Sequence, residues 1–408
     1  MKKFLITLII GFTSQQVIAQ IDQSILKNQE KDSLNTTMNM DALSNRVYTN
    51  SSNTPVSIGG YLEADYKYLG EDGLTDGHTF RIPRLTLFVT SSISSRITFM
   101  SEIEFEEGGE EIAIEFAAMD VNFHPLLNLR GGVVVNPIGA FNQNHDGPKW
   151  EFVDRPIAMT QMLPATWSNV GFGLYGKIYQ QDWALGYEAY LTNGFDNSIV
   201  TNTENRTFLP ASKGNKERFE ETNNGEPLFT GKIAVRNQKF GELGFSYMGG
   251  IYNTYEEDGL VLDQSRRLDV FAVDFNTEIS FSNTYIVGEW AWVYVDVPNT
   301  YTQQFGEKQS GGFLDIVQPV IDSSIFGFDN AVLNAALRLE SVDWNVGTFN
   351  ETGGGIGDEI WAIVPGISFR PTNETVFRLN YRYQEQTDIL GNPPAKTSGI
   401  EIGFATYF

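Results

Sequence analysis

Apolar and polar residues alternate with a period of two through most of the chain from residue 56 onward. In the segment 375–387, Phe377 and Leu379 share one face, whereas Arg378 and Arg382 lie on the other. Successive side chains of a β-strand point to opposite faces of a sheet. The pattern therefore predicts an all-β protein, a transmembrane antiparallel β-barrel whose apolar wall faces lipid and whose charged face lines a water-filled lumen.

The alternation divides the chain into about sixteen strands, an even number as in single-chain bacterial barrels. The weakest of these strands is 311–320, because the connection predicted after it, 321–329, is long for a tight turn. If 311–320 were not a strand, the count would be fourteen. The alternation slips at Pro83 and near Ala117 and Ala118, which predicts bulges. The predicted strands are 56–68, 79–92, 95–106, 111–123, 128–136, 169–179, 183–192, 227–237, 241–252, 267–281, 284–297, 311–320, 330–343, 358–370, 375–385 and 397–408.

Tight turns alternate with longer connections between these strands. Outer-membrane barrels have short periplasmic turns and longer external loops. The longer predicted connections are 69–78, 137–168, 193–226, 253–265, 298–310, 344–357 and 386–396. The sequence therefore predicts that residues 56–408 form the barrel. Because turns and external connections alternate along the chain, 107–110 is also predicted to be an external connection, although it is short.

The residues before the barrel fall into two segments. Residues 1–19 combine Lys2 and Lys3, a short apolar run and a Val-Ile-Ala cleavage pattern, which predicts a signal peptide. Residues 20–55 are polar and predict a periplasmic N-terminal extension, either disordered or with a short helix over 24–34. Export and a barrel together predict a location in the outer membrane, with lipid as its surroundings.

Charge and composition exclude several functions. The formal net charge is −23, and −25 once Lys2 and Lys3 are removed, whereas nucleic-acid binding needs a basic face. The chain has no cysteine and three histidines, His78, His124 and His145, none at metal-ligand spacing. We therefore predict no catalytic residue, no metal, no cofactor and no enzymatic activity.

The connection 137–168 and its flanks contain a series of short motifs: Asn136-Pro137-Ile138-Gly139, Asn142 with His145, Asp154-Arg155-Pro156, Leu163-Pro164, Trp167 and Gly171-Phe172-Gly173. This block resembles the phosphate-selective porin O and P family of Bacteroidetes-type outer-membrane porins. The resemblance implies sixteen strands, a homotrimer, and a third external loop, here 137–168, that folds into the lumen. The C-terminal Phe408 is similar to a barrel assembly signal, although Thr406 departs from it.

The alternation of inward-facing and outward-facing residues along each strand, together with the resemblance, predicts which residues line the pore and set its selectivity. The cations are Arg84, Arg96, Arg130, Lys149, Arg155, Lys232, Arg236, Arg338, Arg378 and Arg382, and the main anions are Glu102, Glu104 and Glu188. Arginine suits phosphate because its planar fork binds two oxygens at once. The alternative is that each cation is paired with a lumen carboxylate, and the negative net charge favours that alternative over phosphate selectivity.

The sequence favours a diffusion channel for small polar or charged solutes, including anions such as phosphate. One alternative is a non-conducting barrel that serves as a structural or partner-binding component of an envelope complex. A second is a barrel enzyme such as a lipase, which would need a Ser–His pair at the lipid-facing surface.

Overall fold

The computed structural model describes residues 37–48, 56–75, 77–222 and 224–408. The predicted signal peptide and the predicted helix over 24–34 lie outside these residues. None of the helices within them is long and apolar enough to cross a membrane. The helical segments are short turns at Asn39–Asp41, Glu107–Gly109, Phe141–Gln143, Gly147–Lys149, Ala158–Met162, Asn197–Ile199, Pro210–Gly214 and Lys216–Phe219.

Sixteen long strands of the described residues form one antiparallel sheet that closes on itself. The last strand pairs with the first, so that Tyr407 lies opposite Tyr61 and Glu401 opposite Lys67. Three short strands, Leu74–Thr75, Glu256–Glu257 and Leu260–Val261, lie in the connections. The long strands are β1 Val56–Glu71, β2 Thr79–Ser94, β3 Ile97–Glu106, β4 Glu111–His124, β5 Leu127–Val135, β6 Ser168–Gln180, β7 Trp183–Thr192, β8 Leu228–Asn237, β9 Gly241–Ile251, β10 Arg267–Ile279, β11 Thr284–Val295, β12 Lys308–Ile325, β13 Phe328–Asp343, β14 Glu359–Thr372, β15 Thr375–Thr387 and β16 Ala395–Tyr407.

The predicted barrel and its strand count are confirmed, with one correction at β12. This strand continues to Ile325, so the connection predicted over 321–329 is a two-residue turn, Phe326-Gly327. Both turn residues have positive φ angles, 52° and 85°. Turns of this kind match the twist of the paired strands and make the shortest hairpins.

The two faces of the sheet differ as the alternation predicts. On β15, Phe377, Leu379 and Tyr381 are 46–48% exposed, whereas Arg378 and Arg382 are 4% exposed. The face that carries the exposed apolar residues is the outer face of the closed barrel, and the opposite one is called the inner face below. An exposed band of apolar and aromatic side chains is what a lipid-facing wall requires.

Both predicted bulges have counterparts in the sheet. The β1–β2 register shifts between Glu63, which lies opposite Arg84, and Asp65, which lies opposite Arg81, so Ile82 and Pro83 form the irregular step. Proline has no N–H to donate to the ladder, and a bulge accommodates that loss. The shift in β4 falls at Glu115, two residues before the predicted position. Each bulge brings an additional charged residue to the inner face.

Candidate functional site

The connection between β5 and β6, residues 136–167, is held together at its neck. The Asn136 amide donates to the Trp167 carbonyl oxygen over 2.9 Å. The Asn142 side chain donates to both the Asn136 and the Trp167 carbonyl oxygens, and its Oδ1 accepts from the Trp167 amide at 2.7 Å. One asparagine therefore satisfies three backbone groups that leave the sheet at this point.

The first part of the connection binds inner-face side chains of β7 to β11. The Ala140 and Phe141 amides both donate to the Glu289 carboxylate at 2.9 Å. Gly139 has a φ of 63°, and any Cβ at this position would collide with the Glu289 carboxylate. The Gly139 carbonyl accepts from Lys232 at 2.6 Å, and Gln143 donates to Glu188 at 2.7 Å.

The second part of the connection binds inner-face side chains on the other side of the barrel. Arg378 donates to the Phe152 carbonyl oxygen at 2.7 Å, and the Ile157 amide donates to Glu340 at 2.8 Å. Arg338 donates to the Asp154 carbonyl oxygen at 2.7 Å. The connection therefore contacts inner-face residues from β7 around to β15.

Apolar packing adds to these polar contacts. On β10 and β11, residues such as Val270 and Val293 are fully buried on the inner face. They belong to one hydrophobic cluster with Phe141, Met159 and Trp167 of the connection. This sector of the inner face is packed and apolar, unlike the water-filled lumen that the sequence predicts.

The predicted pore-lining cations are paired with carboxylates. Burial explains the pairing, because an isolated charge away from water is costly. The closest N–O distances are 2.9 Å for Arg84–Glu104, 2.7 Å for Arg130–Asp120, 3.3 Å for Lys149–Asp146, 3.6 Å for Arg155–Glu104, 2.7 Å for Lys232–Asp274, 3.8 Å for Arg236–Glu242, 2.6 Å for Arg338–Asp315, 3.7 Å for Arg378–Glu63 and 3.0 Å for Arg382–Glu340.

Arg96 lies apart from the other predicted pore-lining cations. It occupies the exposed two-residue turn between β2 and β3, so its predicted place on the inner wall does not hold. The predicted anions do lie on the inner face, with Glu102 and Glu104 fully buried and Glu188 3% exposed.

A charged cluster joins the connection to β3. His145 lies 3.1 Å from Glu102, and Arg46 donates to both Glu102 and Asp146 at 2.8 Å. Burial alone would raise the pKa of the Asp146 carboxyl, but attraction to Arg46, Lys149 and His145 holds it well below its usual range. Glu102, Glu104 and His145 could each offer a ligand atom to a metal ion. Arginines, however, already contact both carboxylates, so the cluster is an ion-pair network.

Comparisons with known proteins agree on the fold. No family model matches the sequence. The anion-selective porin from Comamonas acidovorans superposes with a TM-score of 0.53 at 11% identity, covering 86% of this chain and 99% of that one. The outer-membrane channel DcaP of Acinetobacter baumannii superposes with a TM-score of 0.53 at 12% identity, covering 88% and 99%. The chain has the porin fold.

A curated relative gives no function. An uncharacterized protein of Aquifex aeolicus (strain VF5) is 35% identical over 217 residues, which is 50% of this chain and 46% of the relative. The chain thus spans about half the length of the relative. Similarity to the phosphate-selective porin family stays a prediction, whereas a porin-type outer-membrane barrel is supported by the solved structures.

The alternation pattern of the sequence did not predict a second segment that contacts the inner face. Residues 38–48, within the predicted periplasmic extension, lie against the inner face, with Met38 and Leu43 2% exposed and Arg46 7% exposed. The signal in the sequence was weak: Met38, Met40 and Leu43 are isolated apolar residues in a polar stretch. These residues belong to no strand, so the alternation of apolar and polar residues gives no sign that they are buried.

A cavity of about 450 Å³ remains between these parts. Trp150 of the connection, Asn39 of the N-terminal segment, and Tyr285 and Arg370 of the wall all line it. Its size falls within the range of small-molecule sites. The barrel therefore retains space for a small solute where its inner wall is not packed.

Proposed function

We propose that this chain is an outer-membrane porin that lets small polar or charged solutes diffuse passively through its lumen. The observation that carries the proposal is the closed barrel of sixteen strands with an exposed apolar outer face and a charged inner face. Barrels of this size enclose an aqueous channel, whereas eight strands are filled by side chains. Diffusion through such a channel requires an aperture and a field, and no catalytic group.

The connection 136–167 is proposed to narrow the channel as an inward-folded third external loop. Its contacts with Glu289 and Lys232 on one side and with Arg378 and Glu340 on the other support this role. A lumen occupied in this way passes only small solutes. Selection among them would come from the charged side chains that border the remaining space.

We also propose that the solutes that pass through the lumen include small anions. Arg84 and Arg378 share Glu63, and Arg155 approaches Glu104, so guanidinium groups from the wall and the connection lie close together. Such a group of arginines would favour anions, phosphate included. Carboxylates offset their charge, however, and the proposal is therefore limited to small polar or charged solutes.

The remaining parts of the proposal concern processing and assembly. We propose that residues 1–19 are removed on export and that the barrel resides in outer-membrane lipid as a homotrimer. The leader's composition supports the first part, and the resemblance to trimeric porins supports the second. No cofactor, metal or nucleic acid has a role in this function.

Liposome swelling tests the proposed diffusion. We expect liposomes that contain the folded full-length protein to swell in the smallest neutral sugars, and the rate to fall steeply as the sugar becomes larger, because the connection restricts the lumen. Liposomes with heat-denatured protein are the matched control. Folded barrels that admit not even the smallest sugar would contradict the proposal.

A non-conducting barrel is the second candidate. The observation that favours it is the tight apolar packing of Phe141, Met159 and Trp167 against β10 and β11. A permanently filled lumen would make the barrel a structural or partner-binding part of an envelope complex. The swelling assay separates the two, since this candidate predicts no swelling from a correctly folded protein.

A further inference from the structure

The N-terminal segment 38–48, here called the strap, is anchored at its first end to the short-turn end of the barrel. The Asn39 amide donates to both oxygens of the Glu242 carboxylate at 3.1 and 3.0 Å, and its side chain donates to Asp274 at 3.1 Å. Lys177 donates to Asp41 at 2.6 Å. Glu242 is the second residue of β9, and Lys177 lies near the end of β6, so these contacts lie close to the turns that face the periplasm in barrels of this type.

The strap continues to the opposite part of the wall. Leu43 belongs to a hydrophobic cluster with Met100 of β3, Phe116 of β4 and Tyr190 of β7. Arg46 then reaches Glu102 of β3 and lies over the Phe88 ring of β2, 4.0 Å from its centroid. The strap therefore extends across the barrel from β9 and β10 to β2 and β3.

Arg46 also joins the strap to the connection 136–167. Its guanidinium bridges Glu102 of the wall and Asp146 of the connection, and the side chains of these three residues are at most 2% exposed. Hydrogen bonds between charged groups are the strongest that a side chain makes. At Arg46 the wall, the connection and the strap are thus held together through buried charged groups.

Apart from the Asn39 amide, the contacts described above are made by side chains of the strap, whereas the backbone hydrogen bonds of Asp41, Ala42, Ser44 and Asn45 close a turn within the strap itself. A segment held by side chains separates more readily than one built into the sheet, because its release breaks no ladder. The strap also forms one boundary of the 450 Å³ cavity through Asn39.

We propose that the strap is a gate that closes the periplasmic mouth of the lumen, with Arg46 as its latch. The inference rests on the proposed porin function and goes beyond it, since it makes passage depend on a segment outside the barrel strands. In the latched state the strap closes off the cavity beside Trp150. Release of Arg46 from Glu102 and Asp146 frees the strap and opens the path.

Cysteine labelling reports the position of the strap directly, because the chain has no cysteine of its own. In the folded full-length protein, Leu43→Cys should react slowly with a membrane-impermeant maleimide, because Leu43 is 2% exposed. Ser44→Cys is the matched control, since the neighbouring Ser44 is exposed and should react fast. Equal rates at the two positions would overturn the seated strap.

The latch is tested by adding Arg46→Ala to the Leu43→Cys variant. Loss of the charged hydrogen bonds should speed labelling about tenfold or more. Single-channel conductance should rise in parallel, and Arg46→Lys should give an intermediate result. Arg267→Ala, which removes an exposed guanidinium from β10, is the control and should change neither. A heat-modifiable band on gels verifies that each variant is folded.

A disulfide provides the reverse test. A Cβ at Gly186 would lie 2.4 Å from the Met40 Sδ, so Gly186→Cys with Met40→Cys brings two thiols together. Closing this disulfide should cancel the conductance gained by Arg46→Ala, and reduction should restore it. Faster labelling without a change in conductance would overturn the gate and leave the porin function intact. Absence of conductance in every variant would overturn the porin function itself.

Discussion

Replacing residues 138–165 by a short Gly-Ser linker is expected to raise the single-channel conductance several-fold. The replaced segment, proposed above to narrow the lumen, supplies the contacts to Glu289 of β11, Arg378 of β15 and Glu340 of β13. Without it, the sixteen strands should enclose the open channel expected for a barrel of this size. The linker is feasible because the Asn136 amide and the Trp167 carbonyl oxygen are 2.9 Å apart.

The control for this replacement is the connection after β9. Residues 254–263 include the exposed hairpin of Glu256–Glu257 and Leu260–Val261. Exchanging them for a Gly-Ser linker should leave the conductance unchanged, because this hairpin is a solvent-exposed loop tip. An unaltered conductance after replacement of 138–165, in a barrel that remains heat-modifiable, would show that the connection does not restrict the lumen.

Arg338→Ala is expected to lower the free energy of unfolding by about 3–5 kcal/mol, the usual cost of leaving one member of a buried ion pair alone. Arg338 has no exposed surface and donates to both oxygens of Asp315 at 2.7 and 2.6 Å. The variant leaves the Asp315 carboxylate buried without its partner. Guanidinium denaturation in detergent micelles measures the change.

Two further variants test whether the loss of stability in Arg338→Ala comes from the buried charge left without its partner. Arg338→Met combined with Asp315→Leu should recover most of the loss, because apolar residues of similar volume often replace a buried pair without cost. Arg267→Ala should cost under about 1 kcal/mol, because the Arg267 side chain is 55% exposed and its pair with Asp269 is open to solvent. A similar loss for Arg267→Ala and Arg338→Ala would contradict the assignment of Arg338 to a buried ion pair.

The strands were predictable because one face meets an apolar environment and the other carries charge. On β15 apolar or aromatic residues alternate with polar ones from Phe377 to Gln384, so the pattern determines both the strand and which face is turned inward. On β12 the prediction ended at residue 320 because the β12–β13 register shifts between Pro319 and Ile321. A bulge inverts the alternation, and a period-two pattern cannot follow the strand beyond it.

The contents of the lumen were less predictable. Inner-face Val270 and Val293 alternate with outer-face residues that are also apolar, such as Phe271 and Trp292, so hydrophobicity alone does not separate the faces. Pairs such as Arg84–Glu63 follow from strand neighbours, whereas Arg46–Asp146 joins two segments that no local pattern relates. The charged residues of the strands, Arg96 excepted, could therefore be assigned to the inner face, but the strap could not.

Conductance of the purified full-length protein in planar lipid bilayers tests the central claim most directly. We expect discrete steps, small in size because the connection is proposed to narrow the lumen and the strap to close its mouth, with larger steps from the variant that lacks residues 138–165. A flat current from both proteins, each inserted and heat-modifiable, would contradict the claim that this barrel conducts solutes.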